Sequence, residues 1–195
     1  TLKKYAGEKL KSNLGGGVFF GRYMYRNPKN NVKKICQTEG DVYLIGLWKH
    51  INYFDDLIEK IRKDFQLKNE VDTENKRIIE KIRRDNSVSM HIRRGDYLER
   101  DQQVLSSTNY YRRALQIIAK NKKGLKVYVF SDDIEWCKKN VDIQLPTIFV
   151  DVNVNQEPYK DIILMKNCSH NIVANSTFSL WGALLNNNSE KIVIG

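Results

Sequence analysis

Arg93 and Arg94 stand directly after a run, Ser87 to Ile92, that alternates polar and apolar residues, and Gly95, Asp96 and Tyr97 follow them. An arginine at the end of a strand can grip a diphosphate, because its planar fork of donors matches two phosphate oxygens at once. Gly95 permits the tight turn that aims such a fork. Asp96 can orient a guanidinium or accept a proton, and Tyr97 packs against the loop. His91, one residue before the end of the run, is either a hydrogen-bonded structural residue or a ligand contact. The competing reading of the whole stretch is an edge strand guarded by charge.

Two further clusters have the same character. Asp132 and Asp133 follow the apolar run Leu125–Phe130. One of them suits the N-cap of a following helix, which leaves the other free. A free carboxylate accepts from two adjacent donors, which matches the N1–H and amino group of guanine and not the edge of uracil or adenine. Asn175, Ser176, Thr177, Phe178 and Ser179 form a small polar loop that opens a helix. The unpaired amides of such a helix, with neighbouring hydroxyls, bind phosphate oxygens without a metal.

The elements that carry these clusters come from periodicity. Val42–Leu47 reads as a strand, and apolar residues from Ile51 to Phe65 recur at helical spacing. A polar stretch around residues 67–73 is the candidate linker, followed by a helix around Ile78, Ile79 and Ile82. From residue 87 strands and helices alternate. Val88, Met90 and Ile92 share one strand face, and Thr108 N-caps a helix that carries Tyr111, Ala114, Leu115 and Ile118 and ends at Gly124. Strands are then expected at 125–130, 147–151, 172–174 and at the Lys191–Ile194 end, with helices between them. Such alternation implies a mostly parallel sheet with right-handed crossovers. In such sheets ligands bind beyond the carboxyl ends of the strands, where all three clusters fall. The expected division is a partial N-terminal lobe with connecting helices over 1–86 and a Rossmann-like domain over 87–195.

Composition sets outer limits. The chain has 195 residues, 41% hydrophobic and 29% charged, enough for a real core. No apolar stretch approaches the length of a membrane span, and the start lacks the apolar core of a signal peptide. A net charge of +10 attracts anions of any kind. The arginine concentration in one loop and the lack of a nucleic-acid motif argue against nucleic acid as the partner. The three cysteines have neither metal-site nor redox spacing, so free thiols are expected, without disulfide or zinc.

HIRRGDY, the SDD after a strand, and LMKNCSHNIVANSTFSLWGALLN together resemble the α-1,2-fucosyltransferases of glycosyltransferase family 11. The likeness runs from about residue 42, where YLIGLWKHINYFDDL is similar to the family's upstream segment, to the end. It implies an α/β fold of GT-B type, a Rossmann-like parallel-sheet donor domain with part of a second lobe, and inverting, metal-free transfer from GDP-L-fucose to the 2-hydroxyl of a β-galactoside. His91 and one of Asp132 and Asp133 would meet guanine. Arg93 would hold the β-phosphate with Arg94 in support, and the loop from Asn175 to Ser179 would take the remaining phosphate oxygens.

The catalytic base is left open between Asp96 and a residue elsewhere. The family's glycine-rich opening and its Pro/aromatic tail are absent, so truncation at both ends is expected. Leu180 stands where a second tryptophan is common in the family and Leu184–Leu185 where Ala-Trp often stands, which bears on acceptor preference or local packing more than on donor binding. The expected partners are GDP-fucose and a galactose-terminated glycan, in synthesis of a bacterial surface polysaccharide. The expected location is cytoplasmic, with peripheral membrane association left open. The alternatives are a non-catalytic module for GDP-sugars or glycans and, further off, a basic nucleic-acid-binding protein.

Overall fold

The computed structural model describes the strands at 17–20, 23–26 and 42–45 and residues 55–95, 108–153 and 157–195. The expectations for Asp96, Tyr97, Ile51, Phe54 and Cys36 lie outside the described residues. The chain divides into two compact units, Thr1–Asp55 and Asp56–Gly195.

In the first unit β1 (Gly17–Phe20), β2 (Tyr23–Arg26) and β3 (Val42–Ile45) form an antiparallel sheet in the order β2-β1-β3. Gly17 pairs with Arg26 on one side and with Ile45 on the other. The strand expected at 42–47 is present, and the strand at 23–26 was not expected.

The second unit begins with two helices, α1 (Ile58–Asp64) and α2 (Thr73–Arg84). Asp72 caps α2 by accepting from the backbone N–H of Asn75 at 3.0 Å. A five-stranded parallel sheet follows, built from β4 (Asn86–Ile92), β5 (Leu125–Ser131), β6 (Thr147–Phe149), β7 (His170–Ile172) and β8 (Val193–Ile194). Its order is β6-β5-β4-β7-β8, every pair parallel. Between the strands lie α3 (Thr108–Asn121), α4 (Ile134–Asn140), α5 (Tyr159–Lys166) and α6 (Thr177–Leu185). Gly124, at φ +63°, supplies the left-handed turn between α3 and β5.

The sheet is covered on both faces, so the unit is a three-layer α/β fold. One core contains Val88, Met90, Ile92, Val127 and Val129 under Tyr111, Leu115 and Ile118 of α3 and Cys137 of α4. The other joins Tyr128 and Phe130 to Ile82 of α2 and to Leu164 and Met165 of α5. The helix carrying Ile82 therefore packs with the sheet, and the compact unit starts well ahead of the border expected at 86/87.

The polar face of β4 is also buried. Ser87, Ser89 and His91 are all at most 3% exposed. Their surroundings are hydrogen-bonding rather than aqueous: the Ser169 N–H donates to Ser87 Oγ at 3.0 Å, and Asn171 Nδ2 donates to Ser89 Oγ at 2.7 Å. An edge strand guarded by charge is thereby overturned, because β4 is the central strand of the sheet.

Candidate functional site

In chain order the strands of the sheet run 3-2-1-4-5, so the first and fourth, β4 and β7, lie side by side while their connections leave in opposite directions. Such a switch point opens a crevice at the carboxyl ends of the two strands. The loop after β4 carries Arg93, Arg94 and Gly95, and the segment after β7 leads to Asn175 and α6. The loop after β5, with Asp132 and Asp133, is adjacent.

Opposite charges at these neighbouring strand ends pair. Arg93 Nη1 lies 3.1 Å from Asp132 Oδ2. The backbone N–H of Arg94 donates to Asp132 Oδ1 at 2.9 Å, and Arg94 Nε donates to Asp133 Oδ2 at 3.1 Å. The Arg94 guanidinium also lies over the Trp136 ring, 3.5 Å from its centroid. Arg94 is thus held by a carboxylate and an aromatic face and is 12% exposed, whereas Arg93 is 33% exposed. Arg94 is the more enclosed member of the pair, and Arg93, itself paired with Asp132, is the more exposed one.

Asp133 caps α4 by accepting from the Trp136 N–H at 3.2 Å, and its own N–H donates to Ser131 Oγ at 3.0 Å. The cap was expected; the free partner was not found. Asp132 accepts from the arginine loop through both oxygens, because the sheet register sets the end of β5 against the end of β4. It also fixes the residue at 95, since a Cβ there would come within 2.5 Å of Asp132 Oδ2. A side chain at 95 would have to displace the Asp132 carboxylate from its place against the arginine loop.

His91 is fully enclosed at the end of β4, its ring centroid 5.3 Å from that of Phe178. Among the described residues its Nδ1 has no hydrogen-bond partner. Burial, aided by the nearby Arg93 charge, lowers its pKa to about 3, so the ring is neutral at any ordinary pH. His91 ties the arginine loop to the loop after β7, because Phe178 belongs to α6. In that loop Ser176 caps α6, accepting from the Phe178 N–H at 3.3 Å, and Ser179 Oγ accepts from the Ala174 N–H and donates to the Ser176 carbonyl, each at 3.2 Å. Ser179 is therefore a buried brace rather than a ligand hydroxyl. Asn175 and Thr177 are exposed.

Two residues that the sequence did not single out contribute here. Trp136 shows in the sequence only as a helix residue three after the cap, yet that spacing lays its ring under Arg94. It also lines a mostly apolar cavity of about 250 Å³ with Ile92, Leu115 and Leu145. Asp161, in the first turn of α5, is half-buried, and its carboxyl accepts from Asn153 Nδ2 at 2.8 Å. Burial raises its pKa to about 6 despite that bond. A carboxyl inside an apolar helix was the available signal. Cys137 and Cys168 are free and buried, as expected. Among the described residues no three metal-ligating side chains gather, and no helix is long and apolar enough to cross a membrane.

Comparison with known proteins gives this geometry a family. The profile of glycosyl transferase family 11 matches residues 20–194. An alpha-1,2-colitosyltransferase of Escherichia coli is 36% identical over 168 residues, covering 80% of this chain and 55% of the relative. The O-antigen biosynthesis glycosyltransferase WbnK of Escherichia coli is 38% identical over 115 residues, 56% of this chain and 37% of the relative. The human galactoside alpha-(1,2)-fucosyltransferase 1 is 30% identical over 145 residues, 68% of this chain and 40% of the relative. The chain thus spans about half, or less, of the length of these relatives. A crystal structure of POFUT1 in complex with GDP aligns at a TM-score of 0.42 and 13% identity, over 61% of this chain and 46% of that one, a likeness too loose to bear on function. A match that runs through both units and takes in all three loops of the crevice is not a local coincidence of motifs, and the chain belongs to glycosyl transferase family 11.

Proposed function

We propose that the second unit is the donor-binding part of a GT-B-type α-1,2-fucosyltransferase, which moves L-fucose from GDP-fucose to the 2-hydroxyl of a β-galactoside with inversion. The observation that carries the reading is the unequal treatment of the two arginines. Arg94 is enclosed between Asp133 and Trp136, and Arg93, held by Asp132, remains a third exposed at the switch point of the sheet. In the transfer the galactoside oxygen bonds to the anomeric carbon as the bond from that carbon to the β-phosphate oxygen breaks. GDP leaves with the electron pair, and the acceptor hydroxyl gives its proton to a base. Negative charge grows on the β-phosphate and positive charge on the sugar, so a preset guanidinium acts where charge develops. The amides and hydroxyls at the start of α6 supply further anion donors.

His91, neutral through burial, is suited to hydrogen-bond the base or phosphate and not to carry a charge. Its unpaired Nδ1 is a place where a bound nucleotide would satisfy a buried polar atom. Asp132 and Asp133 serve first to set the arginines, and a guanine contact comes second for either. The proton-accepting role falls to Asp96 or to a residue outside this unit. Cationic and amide donors take the part a metal plays in other transferases, so no metal is proposed.

Identity to a colitosyltransferase favours a second donor, the corresponding colitose nucleotide. Mass spectrometry of products from GDP-fucose and GDP-colitose with a panel of β-galactosides, using the full-length protein in excess EDTA, tests the reading. A fucosylated product is expected. Colitose transfer alone would change the donor, and restoration only by Mn²⁺ or Mg²⁺ would overturn the metal-free mechanism.

A further inference from the structure

The opposite rim of the sheet carries a different arrangement of charge. In a parallel sheet the strands all start at one rim, and the helices that return to them end there. α2 ends one residue before β4 and brings Lys81, Arg83 and Arg84 to this rim. α3 ends shortly before β5 and brings Lys120, Lys122 and Lys123. The Lys123 carbonyl accepts from Asn86 Nδ2 at 2.8 Å, which ties the two groups across the first residue of β4.

Among the described residues, no carboxylate pairs with any of these six cations. Arg83 donates through Nε and Nη2 to the Asn167 side-chain oxygen, at 3.0 and 2.8 Å, and its charge joins burial in lowering the pKa of Lys166. Lys122 acts likewise on His170 at the start of β7, after burial. Asp85 is the acidic side chain between α2 and β4, and it is taken by Lys126 at 3.2 Å and by Tyr128 Oη. Basic residues in last helical turns complement the helix dipole, which accounts for one or two per helix. It does not account for basic residues from two helix ends gathered along one rim.

We propose that this rim, centred on Lys81, Arg83, Arg84, Lys120, Lys122 and Lys123, is a docking surface for an anionic phospholipid bilayer. A membrane fits better than a nucleic acid for two reasons. The patch consists of helix ends along one rim, mostly flexible lysines, without the aromatic platforms on which bases stack. The carboxyl-end crevice lies on the opposite rim, so docking leaves the proposed donor site open. Juxtamembrane cations add attraction singly and lose it within a Debye length, so the contact is reversible and salt-sensitive. The inference stands on charge and topology and does not depend on the donor or the reaction.

The test is co-sedimentation of the chain with vesicles of phosphatidylcholine alone or mixed with phosphatidylglycerol. Binding only to the mixed vesicles, lost at high salt, is expected. Lys120→Glu with Lys123→Glu should weaken it about a hundredfold. Arg77→Glu with Arg113→Glu makes the same change in net charge from the earlier turns of α2 and α3, and should weaken it several-fold less. Both residues of the rim pair are exposed, and Lys120→Ser with Lys123→Ser gives a neutral version should the reversal impair folding. A thermal shift with GDP, unchanged in the rim variants, separates failure of this surface from failure of the donor site. Equal loss in both pairs would assign binding to net charge and overturn the proposal. So would binding to phosphatidylcholine alone, no vesicle binding at low salt, or tighter binding to a random oligonucleotide than to anionic vesicles.

Discussion

The two rims of the parallel sheet hold charge in opposite ways. At the carboxyl rim Arg93 and Arg94 are each set against an aspartate from the neighbouring loop, and Arg94 is stacked on Trp136 as well. At the amino rim Lys120 and Lys123 project from helix ends into solvent. A paired charge loses side-chain freedom and gains a fixed direction, as needed to stabilise charge at one point in a reaction. An unpaired charge keeps its reach and adds only to a diffuse field. Substitutions at the first rim should therefore act on geometry, and those at the second on charge alone.

Asp161 is the sharpest exception at the carboxyl rim, a half-buried carboxyl held by an amide rather than a cation. Its pKa is raised from 3.8 to about 6, so ionising it in the folded chain costs free energy. Its contribution to stability is full below pH 3.8 and is lost as pH rises through about 6. Asp161→Asn should stabilise the chain at pH 7 by up to about 3 kcal/mol and change little at pH 4, as read by denaturant melts. His91 acts in the other direction. Its lowered pKa means stability is lost as pH falls below 6.5, so the Asp161→Asn variant should show a steeper acid decline than the native chain. A gain at pH 4 as large as that at pH 7 would break the account of Asp161.

Gly95→Ala follows in size. The new Cβ would lie 2.5 Å from Asp132 Oδ2, and relief requires the carboxylate or the loop to move. Overpacking of this kind costs about 1–3 kcal/mol, and the loss of arginine alignment should lower transfer by on the order of a hundredfold. Native rates from this variant would show that the loop geometry is immaterial. Arg94→Lys keeps a positive charge and loses the fork and the stacked plane. Stability should fall by about 1 kcal/mol, measured as a shift in melting temperature. Smallest of all, Lys120→Ser with Lys123→Ser should stay within about 0.5 kcal/mol of the native chain, because neither side chain is built into the fold. A large loss there would erase the contrast between the rims.

How much of this was legible follows from the range of each interaction. The strands at 86–92 and 125–131 and the helix from Thr108 to Asn121 are written in local periodicity, and Gly124 marks a turn by its own chemistry. The strand at 170–172 starts two residues earlier than expected, because His170 and Asn171 look like loop residues until their buried hydrogen bonds are known. The burial of Ser87, Ser89 and His91 was hidden for the same reason. Period-two polarity reads as a wet face unless a partner from another element meets it. The convergence of the three loops could be inferred from the alternation of strands and helices. The pairing of Arg94 with Asp133, 39 residues apart, and the place of Trp136 beneath it could not, since both depend on the register of β4 with β5.

The central claim is that the carboxyl rim at β4 and β7 holds a guanosine diphosphate through Arg93. Calorimetric titration of the native chain and of Arg93→Lys with GDP, with UDP as the control, tests it most directly. The account predicts that GDP binds and UDP binds far more weakly, and that Arg93→Lys loses about tenfold or more in GDP affinity at an unchanged melting temperature. Equal affinity for GDP in the native chain and the variant, or equal affinity of the native chain for GDP and UDP, would contradict it.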